Sequence, residues 1–361
     1  MGLVVERLES SDKWDQELGR VRGGLFMTSA WLKAISRNDR KPVFLRFIED
    51  NKPVAVLGGL DIFINNGPAK QLFCYTGIIA GTHDLEVTKR CKTALYHYAL
   101  KNSYQRIIIR SYDHQSFVNA RVKQFIENKK RLEYVICLDK DKESVINGFS
   151  KSLHQRARKA KKEGAVFRKS NSPELTETLL RLIRGTNSVR KSKGYGSYAS
   201  LYLPFMGLNE IERLVKAGYA TFYFTELENE ILSISLDLTY QKKAYGILMG
   251  TSSKGYRSGS PSFHYFELMC LLKDEGYSYF NLGGIPRNTR NRGLTAFKER
   301  FGPKIMESTE ESTNFLTFPL YLFNPLLDLK RVLRNLKIFP SKIKNAIIKI
   351  IDIVLNKRDE Y

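Results

Sequence analysis

Apolar and polar residues alternate most regularly between positions 232 and 240. Large apolar side chains at Leu232, Ile234, Leu236, Leu238 and Tyr240 are separated by polar ones at Ser233, Ser235, Asp237 and Thr239. Successive side chains of a strand point to opposite faces of a sheet. The pattern therefore predicts a half-buried strand with a polar face toward solvent, in a hairpin with a strand at 221–227.

The same order of predicted elements occurs twice along the chain. In the second half we expect strands at 221–227, 232–240 and 244–250, a helix at 261–275 and a strand at 277–282. In the first half we expect strands at 43–48, 54–64 and 71–79, a helix at 85–100 and a strand at 106–110. Three strands, a helix and a closing strand in each half indicate a duplicated α+β unit.

Further helices are expected ahead of the strands in each half, at 29–36 in the first and at 173–187 and 208–216 in the second. The highly charged stretch 139–163 separates the two halves. We therefore predict an N-terminal domain at 1–142, a C-terminal domain at 143–310 and a tail at 311–361.

The tail has helical periodicity. Leucines recur at helical spacing in 325–336, and beyond Pro340 one stripe of a helix would carry Ile343, Ala346, Ile347, Ile350, Ile351 and Val354. Lysines flank this stripe, a pattern typical of amphipathic helices that lie on anionic lipid. The alternative is a C-terminal helix packed on the protein itself.

Charge narrows the classes of partner. Across 361 residues, 59 Lys and Arg outnumber 37 Asp and Glu, which leaves a net charge of +22. This excess of positive charge indicates a polyanionic partner: nucleic acid, an anionic membrane or a phosphorylated substrate.

No uninterrupted apolar segment reaches the roughly 18 residues of a membrane-spanning helix. The Cys and His residues are scattered and show no metal-ligand spacing, so we expect no metal site. The absence of paired cysteines also favours a location in the reducing cytoplasm.

Two segments carry candidate cationic sites. The densest basic run contains Lys151, Arg156, Arg158, Lys159, Lys161 and Lys162, and forms either a solvated helix face or a surface that binds a polyanion. The Gly/Ser-rich segment 251–261 joins a strand to a helix, with Ser260 expected to cap that helix. Lys254, Tyr256 and Arg257 in this segment are candidates for binding a substrate phosphate, and the alternative is a surface loop.

Paired glycines, Gly283 and Gly284, follow the last predicted strand, and residues 297–302 have the sequence Phe-Lys-Glu-Arg-Phe-Gly. Paired glycines after a strand permit a bulge or a close backbone approach. Together these segments resemble the signature of the FemABX peptidyltransferases, which add amino acids to the peptidoglycan stem peptide. The resemblance covers most of the chain and implies two tandem acyltransferase-like (GNAT) domains.

The resemblance also implies roles for single residues. Lys298, held by Phe297 and its aromatic neighbour, is expected to stabilise charge near the acyl donor. Arg190 and Lys33 are expected to bind substrate phosphate, and the basic run is similar to the helix that opens the family's second domain. Asn281 stands where the family commonly has Asp, and no counterpart of the tRNA-contacting coiled-coil arm of some members is present.

These features lead to the hypothesis of an aminoacyltransferase without a bound cofactor, in which an amine of a peptidoglycan precursor attacks the ester of an aminoacyl-tRNA. The tetrahedral oxyanion of such a reaction needs charge stabilisation. Asp113 and Asp237 are the acids to test as a general base, each otherwise a strand-end or surface residue. The alternatives are an acyl-CoA-dependent N-acyltransferase and a non-catalytic protein that binds RNA or membranes.

Overall fold

The computed structural model describes residues 2–335 apart from 65–66, 82–83, 114–117, 119, 193–202 and 285–291. The first elements, in chain order, are β1 (Val4–Arg7), α1 (Ser11–Arg20), a 3-10 helix (Leu25–Met27), α2 (Ser29–Ile35), β2 (Arg40–Glu49), β3 (Lys52–Phe63), β4 (Lys70–Cys74), β5 (Ile79–Ala80), α3 (Leu85–Lys101) and β6 (Tyr104–Ile109).

The later elements are β7 (Ile126–Cys137), α4 (Lys142–Asn147), α5 (Lys151–Lys162), β8 (Val166–Ser170), α6 (Leu175–Ser192), α7 (Leu208–Lys216), β9 (Ala220–Leu227), β10 (Glu230–Tyr240), β11 (Lys243–Thr251), α8 (Ser253–Ser258), α9 (Ser260–Asp274), β12 (Tyr279–Gly284), α10 (Arg292–Glu299), β13 (Lys304–Ser312), a 3-10 helix (Leu320–Phe323) and α11 (Asn324–Asn335).

The chain divides into two compact units. The first combines Met1–Lys130 with Ser308–Tyr361, and the second is Arg131–Glu307. The boundaries thus lie at 130/131 and 307/308, whereas the predicted boundaries are 142/143 and 310/311. The first boundary lies earlier because the end of β7 pairs with β12 and so belongs to the sheet of the second unit.

In the second unit the strand order is β7-β12-β11-β10-β9-β8. The hairpins β9–β10 and β10–β11 are antiparallel, and β12 runs parallel to β11 after a crossover through α9. A parallel pair requires such a crossover, which explains why a helix separates the third predicted strand from the closing one. The pairing of β11 with β12 ends at Tyr245 and Asn281, and β12 continues against β7.

The first unit repeats this arrangement. Its strand order is β1-β2-β3-β4-β6-β13, with β5 paired to β3, and β6 runs parallel to β4 after α3. The predicted α+β class with a duplicated unit is therefore confirmed. The flanking strands β1, β7, β8 and β13 were not predicted.

A buried ion pair attaches β13 to the first unit. The Nζ of Lys92 on α3 donates to Oε2 of Glu311 and to the carbonyl of Ala120, both at 2.5 Å. Burial lowers the pKa of Lys92 and raises that of Glu311. Removing one partner of such a pair leaves an uncompensated buried charge, at a cost of about 3–5 kcal/mol. The segment after the second unit thus contributes to the interior of the first.

The polar face of β10 is buried beneath α9, contrary to the prediction of a solvent-facing side. Ser233, Ser235 and Asp237 are fully buried. Their polar atoms are instead bonded within the protein: Ser260 Oγ donates to Ser233 at 2.8 Å, and Ser235 donates to the carboxylate of Asp237. The Nε2 of His264 lies 2.9 Å from the same Ser235 oxygen. The alternation of apolar and polar residues correctly predicted the strand. Both faces are nevertheless covered, because side chains of α9 form hydrogen bonds with the polar face.

Beyond β13, the described part of the predicted tail packs on Phe315 through Leu327 and Leu333. Other large apolar side chains here are exposed: Phe318, Tyr321, Leu322, Leu329 and Val332. The apolar stripe predicted at 343–354 lies outside the described residues. No helix in the described part of the chain is both long and apolar enough to cross a membrane.

Candidate active site

The paired glycines form a bulge at the end of β12. The register of β12 against β7 shifts between Asn281 and Gly283. Gly283 has a φ of +83°, in the left-handed region that glycine adopts without a steric penalty. Its backbone N–H donates to Oδ1 of Asn281 at 2.7 Å. The bulge therefore requires a glycine at 283 and a side-chain acceptor at 281.

Asn281 belongs to a buried polar network that includes β7. Its Nδ2 donates to Oε2 of Glu133 at 2.9 Å and to the hydroxyl of Tyr279 at 3.2 Å. The Nε of Arg131 donates to Oε1 of Glu133 at 2.6 Å. Glu133 is only 2% exposed, so protein groups rather than water compensate its charge. An Asp at position 281 would place a second carboxylate against Glu133, whereas the Asn of this chain donates to it.

Aromatic packing fixes the end of α10. The rings of Phe297 and Phe301 meet edge to face at 5.3 Å, and both pack on Tyr265 of α9. Gly302 has a φ of +60°, and a Cβ there would lie 2.7 Å from the carbonyl oxygen of Gly148. Three positions of the Phe-Lys-x-x-Phe-Gly motif thus have packing or backbone roles, and the lysine does not.

Lys298 lies over the end of β12. Its Nζ donates to the carbonyl of Gly284 at 3.1 Å. Burial lowers the pKa of Lys298 to about 8, Glu133 acts to raise it and Arg131 to lower it. An ammonium carries three N–H donors, and one of them donates to Gly284; the other two have no acceptor among the described residues. A partly buried cation with remaining donors is suited to stabilise negative charge that develops on a substrate oxygen.

The basic run forms the helix α5, whose first turn is capped by the Ser150 hydroxyl. Leu153, Ala157 and Ala160 face the core, and all the predicted polyanion-binding side chains are exposed: Lys151, Arg156, Arg158, Lys159, Lys161 and Lys162. Lys159 lies 3.7 Å from Glu163, and the other five make no ion pair with the described residues. The helix therefore presents a cationic face whose charges are mostly uncompensated.

The start of α5 is attached to the end of α10. The backbone N–H of Ser150 donates to the carbonyl of Arg300 at 2.8 Å. The rings of Phe149 and Phe301 pack edge to face at 5.6 Å. The cationic helix and the helix that carries Lys298 are thus joined by a backbone hydrogen bond and an aromatic contact.

The segment 251–261 is helical and compact. Ser252 caps α8, and Gly259, with a φ of +81°, separates α8 from α9. The prediction that Ser260 caps α9 is wrong, because Gly259 holds the N-cap position and the Ser260 side chain is buried. Lys254 lies 3.1 Å from Glu228 and 3.3 Å from Glu230. Its charge is compensated, which weakens its case as a phosphate ligand.

Tyr256 and Arg257 are exposed on α8, next to α5. Lys159 Nζ donates to the carbonyl of Arg257 at 3.4 Å. A Cβ at Gly259 would lie 3.0 Å from the carbonyl oxygen of Arg156. The glycine therefore permits α8 to approach α5, and this approach places Tyr256 and Arg257 beside the cationic face.

The remaining candidates lie elsewhere. Lys33 is on α2 in the first unit, where its Nζ donates to Ser11 at 2.9 Å. Asp113, also in the first unit, is buried with a φ of +52°. Arg190 is on α6, and its side chain lies outside the described residues. Their predicted roles stay predictions.

Asp237 lies within the interior of the second unit. Burial raises its pKa to about 7, a value suited to proton transfer at neutral pH. Its Oδ1 has no hydrogen-bond partner in the described part of the chain, but the residue is fully buried. Asp237 is therefore a fully buried acid with a raised pKa, and its role as a general base stays a prediction.

Sequence reasoning missed Arg131 and Glu133. They lie two positions apart on β7, so their side chains share one face of the strand. The charged pair at that spacing was the available signal, but nothing local connected it to Asn281, which pairs with Val135 across the two strands.

A comparison with protein families matches residues 147–299 to the acetyltransferase (GNAT) domain. Over these residues the chain is similar to GNAT acyltransferases. The matched segment contains α5, the junction with Lys254, the bulge at Gly283 and Lys298. No curated protein sequence matches the chain.

Among solved structures, FemX is 15% identical, with 90% of this chain and 99% of FemX covered and a TM-score of 0.65. A conserved protein of unknown function from Bacteroides thetaiotaomicron is 12% identical over 86% of this chain and 100% of that one, with a TM-score of 0.53. The C-terminal domain of a putative lysylphosphatidylglycerol synthetase from Agrobacterium fabrum is 15% identical over 84% and 92%, with a TM-score of 0.50. The match to FemX confirms, at the level of the fold, the resemblance to FemABX enzymes that the motifs predicted.

Proposed function

We propose that this protein is an aminoacyltransferase that moves an amino acid from an aminoacyl-tRNA to an amine of a peptidoglycan precursor. The observation that carries the proposal is Lys298, a partly buried cation held at the Gly284 carbonyl with two N–H groups unused by the described residues. The FemX-like fold and the GNAT domain support acyl transfer as the reaction class.

In the proposed reaction, the neutral amine of the acceptor attacks the ester carbonyl carbon of the aminoacyl-tRNA. A C–N bond forms, negative charge develops on the carbonyl oxygen, and the bond to the 3′ oxygen of the tRNA then breaks. The proton lost by the amine is taken up by that leaving oxygen. Lys298 donates to the oxygen that becomes negative, while its bond to Gly284 fixes the direction of the ammonium.

The cationic face supports a nucleic-acid donor. Five of the six predicted polyanion-binding side chains on α5 have no ion pair with the described residues, and an exposed aromatic ring, Tyr256, lies on the neighbouring α8. Phosphates bind such a surface through release of counterions, and unpaired bases stack on exposed aromatic rings. Aminoacyl-tRNA offers both groups next to its reactive ester.

A second candidate function is an acyl-CoA-dependent N-acyltransferase. The match of residues 147–299 to an acetyltransferase domain favours it. The compensated charge of Lys254 at the strand-to-helix junction argues against a pyrophosphate site there.

We further propose that the reaction takes place in the cytoplasm, where charged tRNA occurs, on a nucleotide-linked or lipid-linked precursor. For a lipid-linked acceptor, the segment 325–361 would hold the enzyme on the anionic inner face of the membrane. The basic amphipathic pattern of that segment supports this part of the proposal.

Donor and acceptor are tested together. The purified protein is incubated with a charged tRNA pool, and separately with acetyl-CoA, in the presence of nucleotide-linked and lipid-linked muropeptides. An acceptor that gains the mass of an amino-acid residue with tRNA alone supports the proposal. A gain of the acetyl mass with acetyl-CoA alone would establish the second function instead.

The role of Lys298 is tested by Lys298→Met, with Lys304→Met as the matched control because Lys304 is an exposed lysine in the same unit. We expect the first variant to lose at least about 100-fold in kcat, the usual effect of removing one oxyanion-stabilising donor, and the second to keep its activity. Near-normal turnover of a folded Lys298→Met protein would contradict the assignment.

A further inference from the structure

Glu133 is a buried acid at the candidate active site without a role in the transfer step described above. It lies on β7, is 2% exposed and accepts hydrogen bonds from Arg131 and Asn281. Burying a carboxylate to this extent destabilises the fold unless ion-pair and hydrogen-bond partners compensate its charge. Two interactions link Glu133 to Lys298.

The first is geometric. Asn281 donates to Glu133 through Nδ2 and accepts the N–H of Gly283 through Oδ1. The bond to Glu133 therefore determines which end of the Asn281 amide faces Gly283. Gly283 carries the bulge, and the next residue, Gly284, supplies the carbonyl that holds Lys298 at 3.1 Å. A continuous series of contacts thus connects the carboxylate to the ammonium.

The second is electrostatic. Glu133 acts to raise the pKa of Lys298, against burial, which is the larger effect, and against Arg131. The other charged neighbour on α10, Glu299, is bound to the hydroxyl of Tyr134 at 2.8 Å. Among the described residues, Glu133 is thus the acid that favours the charged form of Lys298.

We propose that Glu133 is a positioning residue of the Lys298 site: through Asn281 it fixes the bulge that holds Lys298, and it supplies a negative charge to that site. The role in catalysis rests on the proposed function, whereas the effect on the protonation of Lys298 does not.

The chain offers a charge exchange as a test. Glu133→Gln keeps the shape of the side chain and removes its charge. The double variant Glu133→Gln with Asn281→Asp moves the carboxylate across the same hydrogen bond. In it, the new amide at position 133 donates where the carboxylate accepted, and the new carboxylate at position 281 still accepts from Gly283. Glu143→Gln, an exposed acid on α4, is the matched control.

Protonation is read directly from the rate at which an amine-reactive reagent labels Lys298, measured by peptide mass spectrometry over a range of pH. We expect the labelling midpoint to move to lower pH in Glu133→Gln, to return toward the original value in the double variant, and to stay unchanged in the control. A displacement of one pH unit changes the protonated fraction above the midpoint about tenfold. In the transfer assay, kcat should fall at alkaline pH with little change in KM.

An unchanged midpoint in folded Glu133→Gln overturns the inference, whatever the transfer assay shows. If Glu133→Gln does not fold, the double variant decides, because a midpoint near that of the unaltered protein supports the charge role and a displaced one overturns it. A shifted midpoint in a protein that transfers no amino acid would retain the link between Glu133 and Lys298 and reject the proposed function.

Discussion

Asp237 should make the stability of the protein depend on pH in an unusual direction. Burial raises its pKa from 3.8 to about 7, and its Oδ1 has no partner within the described residues. His264, which contacts the same Ser235 hydroxyl, has a pKa lowered to about 3 by burial and stays neutral. The imidazole therefore does not compensate the charge of the Asp237 carboxylate.

The sign and size follow from the two pKa values. Between pH 3.8 and about 7 the folded state binds more protons than the unfolded state, so the contribution of Asp237 to stability decreases as the pH rises. At 1.36 kcal/mol per pKa unit, the decrease between pH 5 and pH 8 is about 2–3 kcal/mol. Asp237→Asn removes the titration and keeps an acceptor for Ser235.

The measurement is the free energy of unfolding by urea at pH 5 and pH 8 for the unaltered protein and for Asp237→Asn. Relative to the unaltered protein, we expect the free energy of unfolding of the variant to be higher at pH 8 than at pH 5 by about 2–3 kcal/mol. Any fixed cost of burying the new amide cancels in this comparison. Glu143→Gln, an exposed acid, should show no such difference. A variant effect that is equal at both pH values would refute the reasoning.

Three further predictions concern other parts of the chain. Changing Lys151, Arg156, Arg158 and Lys161 to Gln should reduce the salt dependence of tRNA binding by about 0.7 to 0.9 in log–log slope for each phosphate that the protein no longer neutralises, measured by filter binding; an unchanged slope would make α5 a solvated face. Gly302→Ala should destabilise the protein by about 1–3 kcal/mol because of its positive φ and the Gly148 carbonyl, whereas Gly185→Ala, with open space around it, should not destabilise it in urea unfolding. Deleting 336–361, which keeps α11, should abolish co-sedimentation with anionic vesicles; retained co-sedimentation would show that the deleted segment is not the membrane-binding surface, and an intact protein that does not sediment with vesicles would reject membrane binding.

Local patterns predicted the elements that form hairpins and crossovers. The strands β9, β10 and β11 and the helix α9 lie within a few residues of their expected positions, because their periodicity and their turns are encoded in adjacent residues. The strands β1, β7, β8 and β13 were not predicted. β7 carries charged residues on a strand whose end pairs with β12, and β13 pairs with β6 only after the whole second unit, so no local signal identifies either one.

The same distinction applies to the candidate site. The motif 297–302 located Lys298 through its resemblance to a known family, although Phe301 and Gly302 of that motif pack against residues distant in the sequence, Tyr265 and Gly148. The electrostatic environment of Lys298 could not be obtained in this way, because it depends on the register of β12 against a strand almost 150 residues earlier, which brings Asn281 and Glu133 within hydrogen-bond distance. Register is set by the whole sheet and not by either strand. An Asn at position 281 therefore does not mean that the site lacks an acid: the carboxylate is on the other strand, and a sequence motif that spans one strand cannot detect it.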